Sequence, residues 1–203
     1  MKTPCSNSII LAAVCCGLSL ATQTGFAQGS LTPPGPPAPT MKTLDQVQPR
    51  TPISSGNYTI TQPGSYYLTT NIFITSGDGI DVDTNGVTID LNGFTITGIN
   101  NAYEGIGLGG AQTYDLTLLN GHINGNYVYN NGSYTGNGFN TGIGYNGSGN
   151  VRISGVTVTG VSAYGIALGS GISTIVESSA VNTSGGYGIV AGNISHSTAR
   201  ACP

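Results

Sequence analysis

The residues that could do chemistry fall in a few places along the chain. Asp81-Val82-Asp83-Thr84-Asn85-Gly86 matches the first half of a calcium loop, in which alternate side-chain oxygens face one centre and Gly allows the bend. Asp81, Asp83 and Asn85 are the metal-ligand candidates, and calcium is the cofactor they would take. The match stops at the closing position, where Asn92 replaces a bidentate Glu and only Asp90 could partly substitute. The same residue types also describe a plain β-turn over 83–86. A second place is the stretch 124–140 (NGNYVYNNGSYTGNGFN), which carries Tyr127, Tyr129, Tyr134 and Phe139 among Asn, Gly and Ser. Flat rings with polar tips, beside amide and hydroxyl groups, suit a sugar ring. These four are the substrate-binding candidates, and the bland alternative is a loop packed on its own aromatics. No Ser-His-Asp order, phosphate loop or Cys/His metal spacing is present.

The elements that would position these groups are set by a repeat. Asp78-Gly79-Ile80, Glu104-Gly105-Ile106, Thr141-Gly142-Ile143, Tyr164-Gly165-Ile166 and Tyr187-Gly188-Ile189 recur with glycine steps of 26, 37, 23 and 23 residues. No helix-length segment separates the copies, which predicts a solenoid of strands. Each copy is followed by further apolar alternation, as in Val87, Ile89 and Leu91 or Val156 and Val158. The long step of 37 marks 124–140 as an insertion, and inserted loops on a rigid scaffold often carry function. Residues 56–75 read as two alternating strands about a Pro63-Gly64 turn.

Composition agrees with strands. Of the 203 residues only 6% are charged, 38% are hydrophobic, and 33 are Gly. Thr, Val and Ile favour extended backbone while Gly and Asn serve turns. The formal charge is −3 and the five basic residues are scattered, so no basic field invites nucleic acid or an anionic membrane.

Residues 1–27 have the layout of a secretory signal peptide. Lys2 forms the positive end, Ile9 to Leu20 is too short to span a bilayer, and Gly25-Phe26-Ala27 is a small-x-small cleavage site. A secreted product, extracellular or periplasmic, is expected, with no membrane contact after cleavage. Cleavage would remove Cys5, Cys15 and Cys16 and leave Cys202 without a partner. Residues 28–40 form a Pro-rich linker. Met41, Leu44 and Val47 then stand at helical spacing before Pro49, predicting a short helix that caps the strand domain of 41–203.

The runs GSYYLTTNI, GDGIDV, VTIDLNGFTITG and YGIVAGNISHSTA resemble the right-handed parallel β-helix proteins of the pectin-lyase-like superfamily, in particular secreted bacterial β-helix repeat proteins. The resemblance covers roughly residues 41–203 and implies an all-β, right-handed parallel β-helix of about five turns. The last copy runs into Ala201-Cys202-Pro203 without a covering segment. The expectation is therefore a C-terminally incomplete domain, or end-to-end self-association in which another chain covers the last rung, since exposed strand edges are normally protected.

In such a fold, residues one turn apart lie about 4.8 Å from each other. The outward column through Asp81 is expected to continue as Gly107, Gly144, Ala167 and Val190, and that through Asp83 as Gly109, Asn146, Gly169 and Gly192. A third, through Asp90, reads, with one slip in register, Leu119, Ser154, Glu177 and Ser195. None gathers several acids. Arg152 would meet Glu177 as an ordinary surface ion pair, and His122 and His196 stand too far apart to act together. The superfamily's lyases are similar in an acidic calcium cluster beside a basic residue, and its hydrolases in a group of aspartates with a His. Neither set can be placed here residue by residue. The sequence thus favours a carbohydrate-binding protein, meeting a polysaccharide or cell-surface glycan. A structural or adhesive surface rod comes next, and a polysaccharide lyase or glycosidase last.

Overall fold

Every element that the computed structural model describes is a strand, and every pairing but one is parallel. The described residues are 49–109, 115–145, 149–171 and 173–200. The expected signal peptide, linker and capping helix, and Cys202, lie outside them.

The chain enters through β1 (Thr51–Ile53) and then makes six similar passes. The first comprises β2 (Tyr58–Ile60), β3 (Gly64–Leu68) and β4 (Ile72–Ile74). The second comprises β5 (Ile80–Val82), β6 (Val87–Asp90) and β7 (Thr95–Gly98), and the third β8 (Glu104–Leu108) and β9 (Leu116–Asn124). A hairpin of β10 (Tyr127–Asn130) and β11 (Ser133–Gly136) precedes the fourth pass, β12 (Thr141–Tyr145) and β13 (Val151–Val161). The fifth is β14 (Tyr164–Ala167), β15 (Thr174–Glu177) and β16 (Ala180–Ser184), and the sixth β17 (Ile189–Val190), β18 (Asn193–Ser195) and β19 (Thr198–Arg200). The first strand of each pass joins a six-stranded sheet in the order β2-β5-β8-β12-β14-β17. The other strands of the passes, with β1, form an eleven-stranded sheet.

Two expectations need correction. Residues 56–75 hold three strands, because β2 and β3 belong to different sheets and β4 pairs separately with β7. This makes a sixth pass where the motif count implied five. The extra pass escapes the motif because Tyr58 stands opposite Ile80, so that Gly56-Asn57-Tyr58 replaces x-Gly-Ile.

The passes stack like on like. Ile80, Ile106, Ile143, Ile166 and Ile189 share one register line of the six-stranded sheet. Ile89, Leu118, Ile153, Val176 and Ile194 share one of the eleven-stranded sheet. The first four of each line are buried, and Ile194 on the last pass is half exposed. Burying each such side chain contributes roughly 1.5–3 kcal/mol, and no single pass could do it alone.

The glycine of the motif has a steric cause. A methyl group on Gly105 would lie 2.6 Å from the Gly142 carbonyl oxygen and 2.6 Å from Ile123 Cγ2. On Gly142 it would lie 2.6 Å from the Gly165 oxygen. Gly79 and Gly165 are closed in the same way, by the carbonyls of Gly105 and Gly188. Each pass therefore presses its backbone onto the glycine of the one before it. Within the eleven-stranded sheet a second constraint repeats. The residues after Leu119, Ser154, Glu177 and Ser195 are Asn120, Gly155, Ser178 and His196, with φ of 53°, 68°, 47° and 47°. Left-handed backbone bends the chain there, and His196 serves that bend.

Gly142→Ala should lower unfolding stability in urea by about 1–3 kcal/mol through overpacking. Gly109→Ala, where no atom lies within 4 Å, should change it by less than about 0.5 kcal/mol. Equal effects would show that the glycine line carries no steric constraint.

Candidate functional site

The residue before each motif glycine forms a column along the six-stranded sheet. Glu104, Thr141 and Tyr164 are register partners. Asp78 joins at one end, where its Oδ1 accepts the Glu104 backbone N–H at 3.0 Å and the Gly79 N–H donates to the Glu104 carbonyl at 2.8 Å. Tyr187 joins at the other end: its carbonyl accepts the Gly165 N–H, and its ring stacks on Tyr164 with centroids 6.2 Å apart and planes 16° from parallel. The order along the column is acid, acid, hydroxyl, ring, ring.

The neighbouring column is the one through Asp81. Its expected continuation through Gly107, Gly144, Ala167 and Val190 is the observed register. Because two glycines follow Asp81, that column raises no side chain of its own there, and the Glu104 carboxylate lies over the two glycines instead. A methyl group on Gly107 would lie 3.2 Å from Glu104 Oε2, 3.5 Å from Asp81 Oδ1 and 3.9 Å from Asp78 Oδ2. One on Gly144 would lie 2.6 Å from both Glu104 carboxylate oxygens. Three carboxylates from two adjacent passes thus converge above Gly107.

Their convergence alters their acidity. Burial, and then the charges of Asp78 and Asp81, push the Glu104 carboxyl up to about 7. Asp81 is raised by burial first and then by Asp83 and Asp78, against a backbone hydrogen bond from Val82. Beside the acids lies a groove of about 410 Å³ lined by Tyr103, Glu104, Asn140, Thr141, Tyr145 and Tyr164, among others. Tyr103, Tyr164 and Tyr187 are 60%, 42% and 67% exposed, and Tyr164 and Tyr187 are also stacked on each other. At neutral pH the site can offer flat apolar faces at one end, and at the other carboxylates of which one holds its proton.

The sequence-derived candidates distribute differently. Asp81 belongs to this acidic group, whereas Asp83 is exposed beyond β5 and Asn85 lies in the bend before β6. Among the described residues no group of three or more His, Cys, Asp or Glu side chains is placed to hold a metal ion. Tyr127, Tyr129 and Tyr134 belong to the β10–β11 hairpin, closed by Asn131-Gly132 with φ of 48° and 87°. Tyr129 and Tyr134 face each other with centroids 4.9 Å apart, and the Tyr134 hydroxyl donates to the Ser184 carbonyl, so much of this insert packs on the protein. Phe139 is a correction to the ligand-facing set: it is fully buried, its ring lying over Gly98, where a methyl group would meet it at 2.6 Å. Arg152 and Glu177 form the expected surface ion pair, Nε to Oε1 at 3.1 Å. The hydrogen bond from Arg152, followed by that from Ser154, lowers the Glu177 carboxyl.

Sequence reasoning missed Asp78, Glu104, Tyr103, Tyr164 and Tyr187 as a group. The signal was present in the first letter of each x-Gly-Ile copy, which reads Asp, Glu, Thr, Tyr, Tyr. The columns after the glycine, taken alone, leave the acids scattered. The chain matches no protein-family model, no curated protein and no solved structure.

The raised Glu104 acidity makes a signed prediction. A folded-state value of about 7 against an ordinary 4.5 means that Glu104 adds stability below 4.5 and loses that contribution as pH rises through 7. Relative to the wild type, Glu104→Gln should therefore gain stability on going from acid to mildly alkaline solution. After discounting for partial solvent exposure the gain should be on the order of 1–2 kcal/mol. Parallel pH–stability curves for the two proteins would contradict the carboxylate cluster.

Proposed function

We propose that this chain is a secreted right-handed parallel β-helix that binds carbohydrate along the column Asp78–Glu104–Thr141–Tyr164–Tyr187. The single observation carrying this reading is the stacked, solvent-exposed Tyr164–Tyr187 pair, of which Tyr164 lines the groove. Ring faces stack on sugar rings, and the hydroxyl and carboxylate groups further along the column accept or donate hydrogen bonds to sugar hydroxyls. Four strand spacings of about 4.8 Å separate Asp78 from Tyr187, room for several sugar units lying along the stack. The β-helix reading is supported by the all-parallel passes and their alternation between two sheets. Export is supported by the sequence of residues 1–27.

A second reading, glycoside hydrolysis, is favoured by one observation. Glu104 holds its proton to about pH 7 beside the carboxylates of Asp78 and Asp81. A protonated acid paired with a carboxylate is the arrangement that cleaves glycosidic bonds, one group protonating the leaving oxygen and the other activating water or attacking carbon.

Tyr164→Ala combined with Tyr187→Ala should weaken polysaccharide binding at least about tenfold, the loss of one to two aromatic stacking contacts. Tyr127→Ala with Tyr129→Ala should have a smaller effect. Affinity measured on a panel of polysaccharides decides between the two faces. Loss of binding only in the hairpin pair would move the site to the insert, and no binding by a cooperatively folded wild type would favour the structural rod. Release of reducing ends that disappears in Glu104→Gln would establish hydrolysis.

A further inference from the structure

We infer that the groove takes an N-acetylated amino sugar, with the acetamido carbonyl held at Asn140 and the sugar on the rings of Tyr103 and Tyr164. The inference rests on the carbohydrate reading above and names the sugar class within it. The groove of about 410 Å³ is lined from three successive passes, a size ordinary for a small-molecule site. Tyr103 and Glu104 belong to the third pass, Asn140 and Thr141 to the fourth, and Tyr164 and Ala167 to the fifth.

Backbone pairing sets their order. The Asn140 N–H donates to the Tyr103 carbonyl, and the Ala163 N–H to the Asn140 carbonyl, each at 2.9 Å. Beside them Glu104, Thr141 and Tyr164 are register partners. The two exposed rings of the groove, Tyr103 and Tyr164, thus stand two strand spacings of about 4.8 Å apart. An amide and a hydroxyl lie between them.

The contact between those two groups sets what the amide can offer. Thr141 Oγ1 donates to Asn140 Oδ1 at 3.2 Å. With that oxygen engaged, the exposed Asn140 side chain presents its two Nδ2 N–H donors. A ligand group that only accepts matches them best, and an amide carbonyl is such a group, whereas a sugar hydroxyl both donates and accepts. A uronate carboxylate would also accept. The lining includes no Lys or Arg to balance its charge, however, and Glu104 stands in the same groove.

The floor suits the other half of the acetamido group. The Glu104 carboxylate occupies the space above Gly107 and Gly144 and closes that end. The next floor residue is Ala167, the half-exposed register partner of Gly144. An acetyl methyl resting on Ala167 and on the Tyr164 ring is withdrawn from water, which a hydroxyl on the same sugar carbon does not gain from.

The test compares oligosaccharides of equal length and linkage built from N-acetylglucosamine, glucose and glucuronic acid, with binding followed by calorimetry. The first two differ only in the acetamido group. The N-acetylated form should bind about tenfold more tightly than the glucose form, the gain of one hydrogen bond and one buried methyl. The uronate should bind most weakly. Asn140→Asp keeps an acceptor for Thr141 but removes the donors, and should bring the N-acetylated form down to the affinity of the glucose form, a cooperative melt reporting its fold. A folded variant that keeps the preference, or that loses both ligands together, would overturn the Asn140 assignment. Equal binding of the N-acetylated and glucose forms by the wild type, or preference for the uronate, would overturn the acetamido inference and leave the carbohydrate reading intact. Binding of none by a cooperatively melting wild type would overturn both.

Discussion

The close approach of one pass to the next at the motif glycines is the constraint on which the rest depends. Where a carbonyl oxygen would lie within 2.6 Å of any added Cβ, as at Gly105 and Gly142, only glycine lets the strands reach pairing distance. Fixing that contact fixes the register of the six-stranded sheet. Isoleucine then falls inward on the five passes that carry the motif, since side chains alternate across a strand, and the residue before the glycine falls in a single line. Packing thus creates a functional column as a by-product: whatever occupies the x position is brought beside its counterparts from other passes.

The column explains how a chain with only 6% charged residues concentrates charge. Asp78 and Glu104 lie 26 residues apart in sequence and meet through one hydrogen bond from backbone to side chain. Asp81 enters from the adjoining column because Gly107 and Gly144 leave the sheet bare. Burial and repulsion do the rest, lifting Glu104 to about 7. The tyrosines at the far end follow the same logic, since register stacks Tyr164 on Tyr187 and the groove runs beside them.

Much of the all-β, parallel arrangement was legible in the sequence, because the x-Gly-Ile period and the alternation of Val, Ile and Leu state it directly. The Asp81 column was legible down to the residue pair, and the Asp90 column in its residues, though the slip in register expected there is absent. The first pass was not, because Gly56-Asn57-Tyr58 does not spell the motif. Phe139 was not either: its neighbours are the Gly, Asn and Ser of a surface loop, and what buries it is the space above Gly98, 41 residues earlier. The acidic group was readable in principle, but it depends on Glu104 bending across two bare glycines, a side-chain path that spacing alone does not encode.

The most direct test of this register-made site is the titration of Glu104 itself, followed by the chemical shift of its side-chain carboxyl carbon. The account predicts a midpoint at about 7, moving down when Asp81 on the neighbouring pass is changed to Asn. A midpoint at the ordinary 4.5, indifferent to Asp81, would mean that the carboxylates of adjacent passes do not meet.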